Sequence, residues 1–212
     1  MTADSTPYRK PARVRPVQTH EVRIIGGLYK RTKLPVADKP GLRPTPDRVR
    51  ETLFNWLAPV LPGARCLDMF AGSGALGIEA LSRGAAEVVF IERDPVAIRA
   101  LRDNLARLNA EGGRVEPAEA LAWLRRPATP FEIVFLDPPF DADLLEPVCA
   151  ALEAGDWLTG TAWIYLEAAA GRPLALPAGW TVHREKTAGM VAYRLARRAI
   201  QTQPRALAES CD

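Results

Sequence analysis

Residues 65–77, RCLDMFAGSGALG, decide the fold. Arg65 to Phe70 reads as a short buried strand, and Ile78, Ala80 and Leu81 mark the helix that follows the loop. Gly72, Gly74 and Gly77 between them let the backbone turn sharply and approach a ligand. Strand, glycine loop and helix in this order open a doubly wound α/β sheet, and the spacing matches G-x-G-x-x-G. Val88 to Ile91 reads as the next strand, with Glu92 at its end, 20 positions past Gly72, where a ribose-binding carboxylate belongs. Nicotinamide dinucleotides and S-adenosylmethionine both carry an adenosine ribose, so Glu92 does not separate them. Asp68 begins to. A carboxylate beside the loop repels a pyrophosphate and suits a cofactor carrying an ammonium and a sulfonium.

Further along, Phe131 to Phe135 has the length of a buried strand and runs into Leu136-Asp137-Pro138-Pro139-Phe140. In open α/β sheets, ligands bind beyond the carboxyl ends of the strands. Asp137 accepts hydrogen bonds there. Pro138 and Pro139 stiffen the loop and leave its carbonyls free to accept. Phe140 offers a flat face on which a base can stack. Acceptors beside an aromatic shelf suit a planar group bearing –NH2; a merely rigid turn is the plain alternative.

The rest of the chain divides as follows. Residues 1–21 read as a disordered basic arm, 22–40 as a β-hairpin extension, 41–198 as the main domain and 199–212 as a flexible tail. The hairpin carries Arg23, Lys30, Arg31 and Lys33, with Gly26-Gly27 as its turn or bulge, and reads as substrate surface more than core. Thr45 is a good N-cap with Pro46 as first helical residue, and Val49, Leu53, Trp56 and Leu57 share a face. Arg43 beside that helix start suits an anionic group. Pro95 begins a helix through Ile98, Leu101, Leu105 and Leu108, and a strand at Arg114–Glu116 leads to Glu119 and Ala120, where an adenine can be edged. Leu144 to Leu152 reads as a helix, 161–167 as a strand, and 180–186 with 190–196 as a hairpin around Thr187-Ala188-Gly189.

Composition narrows the classes. The net charge of +3 hides an asymmetry: residues 1–50 hold 12 lysines and arginines against 4 acids, a net of +8, and the remainder holds 16 against 21, a net of −5. A basic N-terminal part on an acidic body suggests a polyanion partner. Cys66, Cys149 and Cys211 form no C-x-x-C pair, and His20 and His183 are the two histidines, so neither a zinc site nor a disulfide framework is expected. Apolar runs are strand-sized and no secretory signal is evident, which points to a reduced cytoplasmic protein.

Four segments in one order, RPTPDRVRETLFNWL, LDMFAGSGALGIEAL, IERD and LDPPF, together with RIIGGLYKRTKLPV ahead and HREKTAGMVAYRL behind, closely resemble the RsmD family. The resemblance spans roughly Arg23 to Arg197. It implies a Rossmann-like class I S-adenosylmethionine-dependent methyltransferase, a seven-stranded mixed sheet ending in an antiparallel hairpin. The activity it implies is methylation of a guanine 2-amino group in 16S ribosomal RNA, within a small-subunit assembly particle, by a monomer without metal. Carried over by position, Asp68, Gly72 and Gly74 line the methionine part of the cofactor, Glu92 the ribose, and Glu119 with Ala120 the adenine. Arg43 and Thr45 contact the methionine end or the substrate; Asp137, Pro138 and Phe140 hold the flipped base, with Pro139 beside it. DNA amino-methylation, nicotinamide-dependent oxidation and non-enzymatic RNA binding remain the competing readings.

Overall fold

The computed structural model describes residues 20–36, 45–139 and 143–199. Seven strands form one sheet in the order β5-β4-β3-β6-β7-β9-β8. They are β3 (Arg65–Asp68), β4 (Glu87–Glu92), β5 (Gly113–Pro117), β6 (Phe131–Leu136), β7 (Leu158–Ala169), β8 (Trp180–Ala188) and β9 (Val191–Arg198). The first five are parallel, and β9 runs antiparallel to both β7 and β8. Helices α1 (Asp47–Leu57), α2 (Ala75–Ser82) and α3 (Pro95–Arg107) cover one face, while α4 (Ala120–Trp123) and α5 (Leu145–Ala154) cover the other. Alternation along the strands explains the division. Cys66, Val88, Phe90, Ile133 and Phe135 point to the first face; Leu67, Val89, Ile91, Val134 and Leu136 point to the second. Both faces are buried, so these strands read as continuous apolar runs.

The N-terminal β1 (His20–Arg23) and β2 (Lys33–Val36) pair as a separate antiparallel ribbon. This corrects the expectation that the hairpin is mainly surface. Val22, Ile24, Leu34 and Val36 fall on one side of the ribbon and are buried, two of them in the main core. Buried Asn104 of α3 donates to the Pro35 carbonyl at 3.0 Å. Gly27, at φ 75°, takes its place by close approach to α2: a Cβ there would meet the Ser82 carbonyl oxygen at 1.7 Å.

Charge anchors the ribbon as well. Glu79 of α2 is fully buried, and its two carboxylate oxygens accept the N–H groups of Ile25 and Gly26, both at 2.8 Å. Arg83 donates to it at 2.7 Å and buried Arg50 of α1 lies 3.5 Å away. Arg50 also donates to the carbonyls of Arg23 and Thr45 and to Asp47.

Other boundaries move. α1 begins at Asp47 with Pro46 in the cap position and no side-chain cap, so Thr45 does not cap it. β7 starts three residues earlier than its apolar pattern suggests. The β8–β9 turn is Gly189-Met190, with Ala188 paired to Val191 and Gly189 at φ 63°.

Replacing Glu79 by Ala leaves buried Arg50 with Asp47 as its remaining acidic partner, strips Arg83 of its carboxylate and frees two ribbon N–H groups. The expected loss is about 3–5 kcal/mol of unfolding free energy, read by urea titration. A loss below about 1 kcal/mol would show that ribbon and helices do not depend on this charge.

Candidate active site

Strand order reverses between β3 and β6, the adjacent pair whose following helices lie on opposite faces. Such a reversal opens a crevice at the strands' carboxyl ends. Four acids reach that edge from four neighbouring strands: Asp68 at the end of β3, Glu92 at the end of β4, Asp137 just past β6, and Glu167 near the end of β7.

Asp68 is buried, and its Oδ2 accepts the Gly77 N–H at 3.0 Å. Gly77 lies in the first turn of α2, whose own N-cap, Gly74, supplies no side chain. The protein's own carboxylate therefore occupies the helix start where a dinucleotide's pyrophosphate would sit. Gly74 takes φ 75°, and a Cβ on it would meet Leu101 at 2.3 Å; one on Gly77 would meet Phe90 at 2.2 Å. Tight packing and a left-handed turn explain these two glycines, and the loop can still approach a ligand closely. Burial, reinforced by the Glu92 charge and opposed by the Gly77 N–H, pushes the Asp68 carboxyl up to about 7. A bound cation would reverse that.

Glu92 is half-buried. Its Oε2 accepts the Gly72 N–H at 2.8 Å, and its Oε1 those of Arg93 and Asp94 at 2.9 Å. Oε2, with one donor, keeps lone-pair capacity for a further donor such as a ribose hydroxyl. A cleft of about 650 Å³ opens beside it, lined by Arg93, Pro95, Ile98, Pro117, Ala118 and Glu119. Glu119 caps the short α4, accepting the Ala122 N–H at 2.9 Å, and Ala120 is buried as that helix's first residue. This helical turn was not evident in the sequence.

On the other side of the crevice Asp137 is half-buried and Pro138 buried, with Pro139 exposed. Thr45 places its hydroxyl 3.2 Å from Asp137 Oδ2 and 3.1 Å from Glu167 Oε1. That long-range contact is why Thr45 does not cap α1. Tyr165 donates to the same Glu167 oxygen at 2.7 Å. Burial first, and then the Glu167 charge, hold the Asp137 carboxyl well above its usual range; burial raises Glu167 too.

Asp68, Gly72, Gly74, Glu92, Glu119 and Ala120 thus share one stretch of the edge, and Thr45, Asp137 and Pro138 share its neighbour. Arg43 and Phe140 lie outside the described residues. On the ribbon, Lys30 and Arg31 are exposed, whereas Arg23 pairs with Asp47 and Lys33 with Glu21, both at 2.9 Å. Sequence reasoning missed Glu167 and Tyr165. The available signal was an acid at a strand end, the same as for Asp68, Glu92 and Asp137. Among the described residues no three metal-ligating side chains cluster, and no helix is long and apolar enough to cross a membrane.

A raised Asp68 carboxyl means that the folded chain holds a proton which the unfolded chain releases near pH 4. Its favourable contribution is present at low pH and is lost as pH rises toward about 7. Asp68→Asn removes this dependence. Without ligand, the variant's stability relative to the parent should therefore grow between pH 5 and pH 7, by at most about 1.4 kcal/mol per pH unit. Parallel denaturant curves would show otherwise if Asp68 ionised normally.

Comparison with known proteins identifies the family. A family model described as conserved hypothetical protein 95 matches residues 22–197. Ribosomal RNA small subunit methyltransferase D of Escherichia coli K12 is 54% identical over 182 residues, covering 85% of this chain and 92% of that protein. Its namesake from Haemophilus influenzae is 48% identical over 179 residues, covering 82% and 93%. The solved structure of yhhF from Escherichia coli superposes with a TM-score of 0.79 at 53% identity, covering 86% of this chain and all (100%) of the other. Motifs, sheet order and relatives agree: the chain belongs to the RsmD family, that of ribosomal RNA small subunit methyltransferase D.

Proposed function

We infer that this enzyme transfers the methyl group of S-adenosylmethionine to the exocyclic 2-amino nitrogen of a guanine in 16S ribosomal RNA. The observation that carries the reading is Asp137, held at the strand-order reversal beside the buried Asp68. One acid stands where an amine is to be oriented, the other where a cationic cofactor is to be held. Asp68, Gly72 and Gly74 would hold the methionine end of the cofactor, Glu92 the ribose, and Glu119 with Ala120 the adenine beside the cleft. Bound S-adenosylmethionine supplies an electrophilic methyl group on a sulfonium.

The protein's work is orientation. A guanine amine is a weak nucleophile because its lone pair is delocalised into the ring. Asp137 and the Pro138 carbonyl accept its two hydrogens, favour a pyramidal nitrogen and aim the lone pair at the methyl carbon. The base must leave its stack to reach them, and Phe140 is the proposed stacking surface. Exposed Lys30 and Arg31 meet RNA phosphates, with Arg23, Lys33 and Arg43 as further contacts. The substrate is rRNA in a small-subunit assembly particle, and the enzyme acts as a cytoplasmic monomer.

Asp137→Asn keeps the shape and one acceptor but exchanges the other for a donor and removes the charge. Single-turnover methyl transfer should fall by roughly 10²–10³, with cofactor affinity nearly unchanged. Near-normal transfer by a folded variant would remove Asp137 from the reaction. Replacing Lys30 and Arg31 together by Ala should weaken RNA binding and flatten its salt dependence by roughly one log–log unit per lost phosphate contact. Unaltered RNA binding would make the ribbon purely structural.

A further inference from the structure

One hydroxyl stands between two carboxylates. Thr45 Oγ1 contacts Asp137 at 3.2 Å and Glu167 at 3.1 Å, and Thr45 and Glu167 are only 7% and 4% exposed. A threonine has one O–H hydrogen and two acceptor lone pairs. It can donate to one of the two carboxylates. The other contact is a hydrogen bond only when that carboxyl brings its own proton.

Tyr165 decides which. It is fully buried and already donates to Glu167 Oε1 at 2.7 Å. All three contacts are satisfied when Glu167 is ionised, accepting from Tyr165 and Thr45, and Asp137 is protonated, donating to Thr45. The surroundings agree. Asp68 on β3, Tyr165 and Glu167 on β7 and Tyr193 on β9 face this pocket, and none of them supplies a positive charge. Among the described residues the nearest cation in the network, Arg50, is turned to the Thr45 carbonyl, Arg23, Asp47 and Glu79. Two carboxylates sharing one hydroxyl disfavour each other's ionisation, so one of the pair keeps a proton until positive charge enters the crevice.

Building on the function inferred above, we propose that Asp137, Thr45 and Glu167 form a one-proton relay that the cofactor's sulfonium empties and the methylated amine refills. Without a cation in the crevice the pair holds one proton. When the sulfonium arrives, that proton leaves to solvent and both carboxylates are ionised. In the transfer the amine lone pair forms the N–C bond. The C–S bond breaks with its electrons remaining on sulfur. The surplus N–H proton passes to Asp137. Asp137 can then donate to Thr45 Oγ1 as Thr45 gives its own hydrogen to Glu167. Sulfur loses one positive charge while the pair loses one negative charge, so the net charge of the site is constant through the step. Asp137 is a catalytic residue here; Thr45 and Glu167 act through it.

The test compares S-adenosylmethionine with S-adenosylhomocysteine, which shares its ammonium and ribose but has a neutral sulfur. Proton release on binding is measured near pH 7 by calorimetry in buffers of different ionisation enthalpy, using the full chain. The ammonium's effect on Asp68 is common to both ligands and cancels; any effect of the sulfonium on Asp68 persists in Glu167→Gln, so the relay's share is the part of the excess lost in that variant. S-adenosylmethionine should release more protons, the excess approaching about one per site. In Glu167→Gln the excess should fall, because Asp137 loses its like-charged neighbour and only burial and Asp68 still favour its proton. Thr45→Val should slow single-turnover transfer at saturating cofactor about 10-fold or more, and Thr45→Ser should restore it. Equal proton release by the two ligands in the parent protein would overturn the relay while leaving the methyltransferase reading intact. So would a Thr45→Val variant as fast as the parent. Failure of either ligand to bind would overturn both.

Discussion

The buried Arg50–Glu79 pair is the constraint on which the rest of the structure depends. Both side chains are almost wholly removed from water. An isolated charge so placed costs several kcal/mol, and the cost is tolerable only when each charge is paired and hydrogen-bonded. Glu79 therefore collects two ribbon N–H groups, Arg83 and Arg50. Arg50 collects the carbonyls of Arg23 and Thr45 and the Asp47 carboxylate. These demands lock ribbon, α1 and α2 into one arrangement. The Arg50 bond to the Thr45 carbonyl is the link to chemistry, because the same residue's hydroxyl sits between Asp137 and Glu167. A mutation at Glu79 thus reaches the active site through two hydrogen bonds and without touching any proposed ligand.

The crevice follows the opposite rule. Its acids are only partly satisfied within the protein, and burial raises three of them: Asp68, Asp137 and Glu167. Such a site is destabilising when empty above neutral pH and is relieved by positive charge. The fold holds it because both faces of the sheet are apolar and the strands beneath cannot relax. Trp123, Phe131 and Trp157 pack together under one side, with ring centroids 4.4–6.4 Å apart. Phe54, Phe135 and Tyr165 do the same under the other, at 6.0 and 6.5 Å. Stability resides in these layers and reactivity at their edge.

The centre of the sheet was legible because β3, β4 and β6 are short, largely apolar and bounded by turn residues, with Asp68, Glu92 and Asp137 where those strands end. Local signals failed where a distant partner competed. Thr45-Pro46 has the residues of a helix cap, yet the Thr45 hydroxyl is taken by a carboxylate 122 positions away. The ribbon's basic residues suggested a surface, but alternation hides Val22, Ile24, Leu34 and Val36 beneath them. Glu167 lay unremarked in an apolar strand, because nothing within a few residues of it reveals that Thr45 is near. Arg23 and Lys33 looked available for a polyanion, and their acidic partners appear only in three dimensions.

Charge is divided in space as it is along the chain, and the division has a consequence for recognition. The crevice concentrates four acids at one edge of the sheet, and the ribbon exposes Lys30 and Arg31 apart from it. A phosphate backbone is drawn to the ribbon and repelled from the crevice over distances of about a Debye length, 8–10 Å at moderate salt. Only an uncharged part of the polyanion can enter. Under the proposed function a base swung out of its stack would meet that condition, presenting N–H groups to Asp137 while its phosphates stay outside. The same acids admit a cationic cofactor and disfavour one built on a pyrophosphate. The glycine loop alone cannot make that distinction. Asp68 can, because it fills the helix start with the protein's own negative charge, and under the proposed function this one side chain would make a general nucleotide-binding unit a site for a sulfonium.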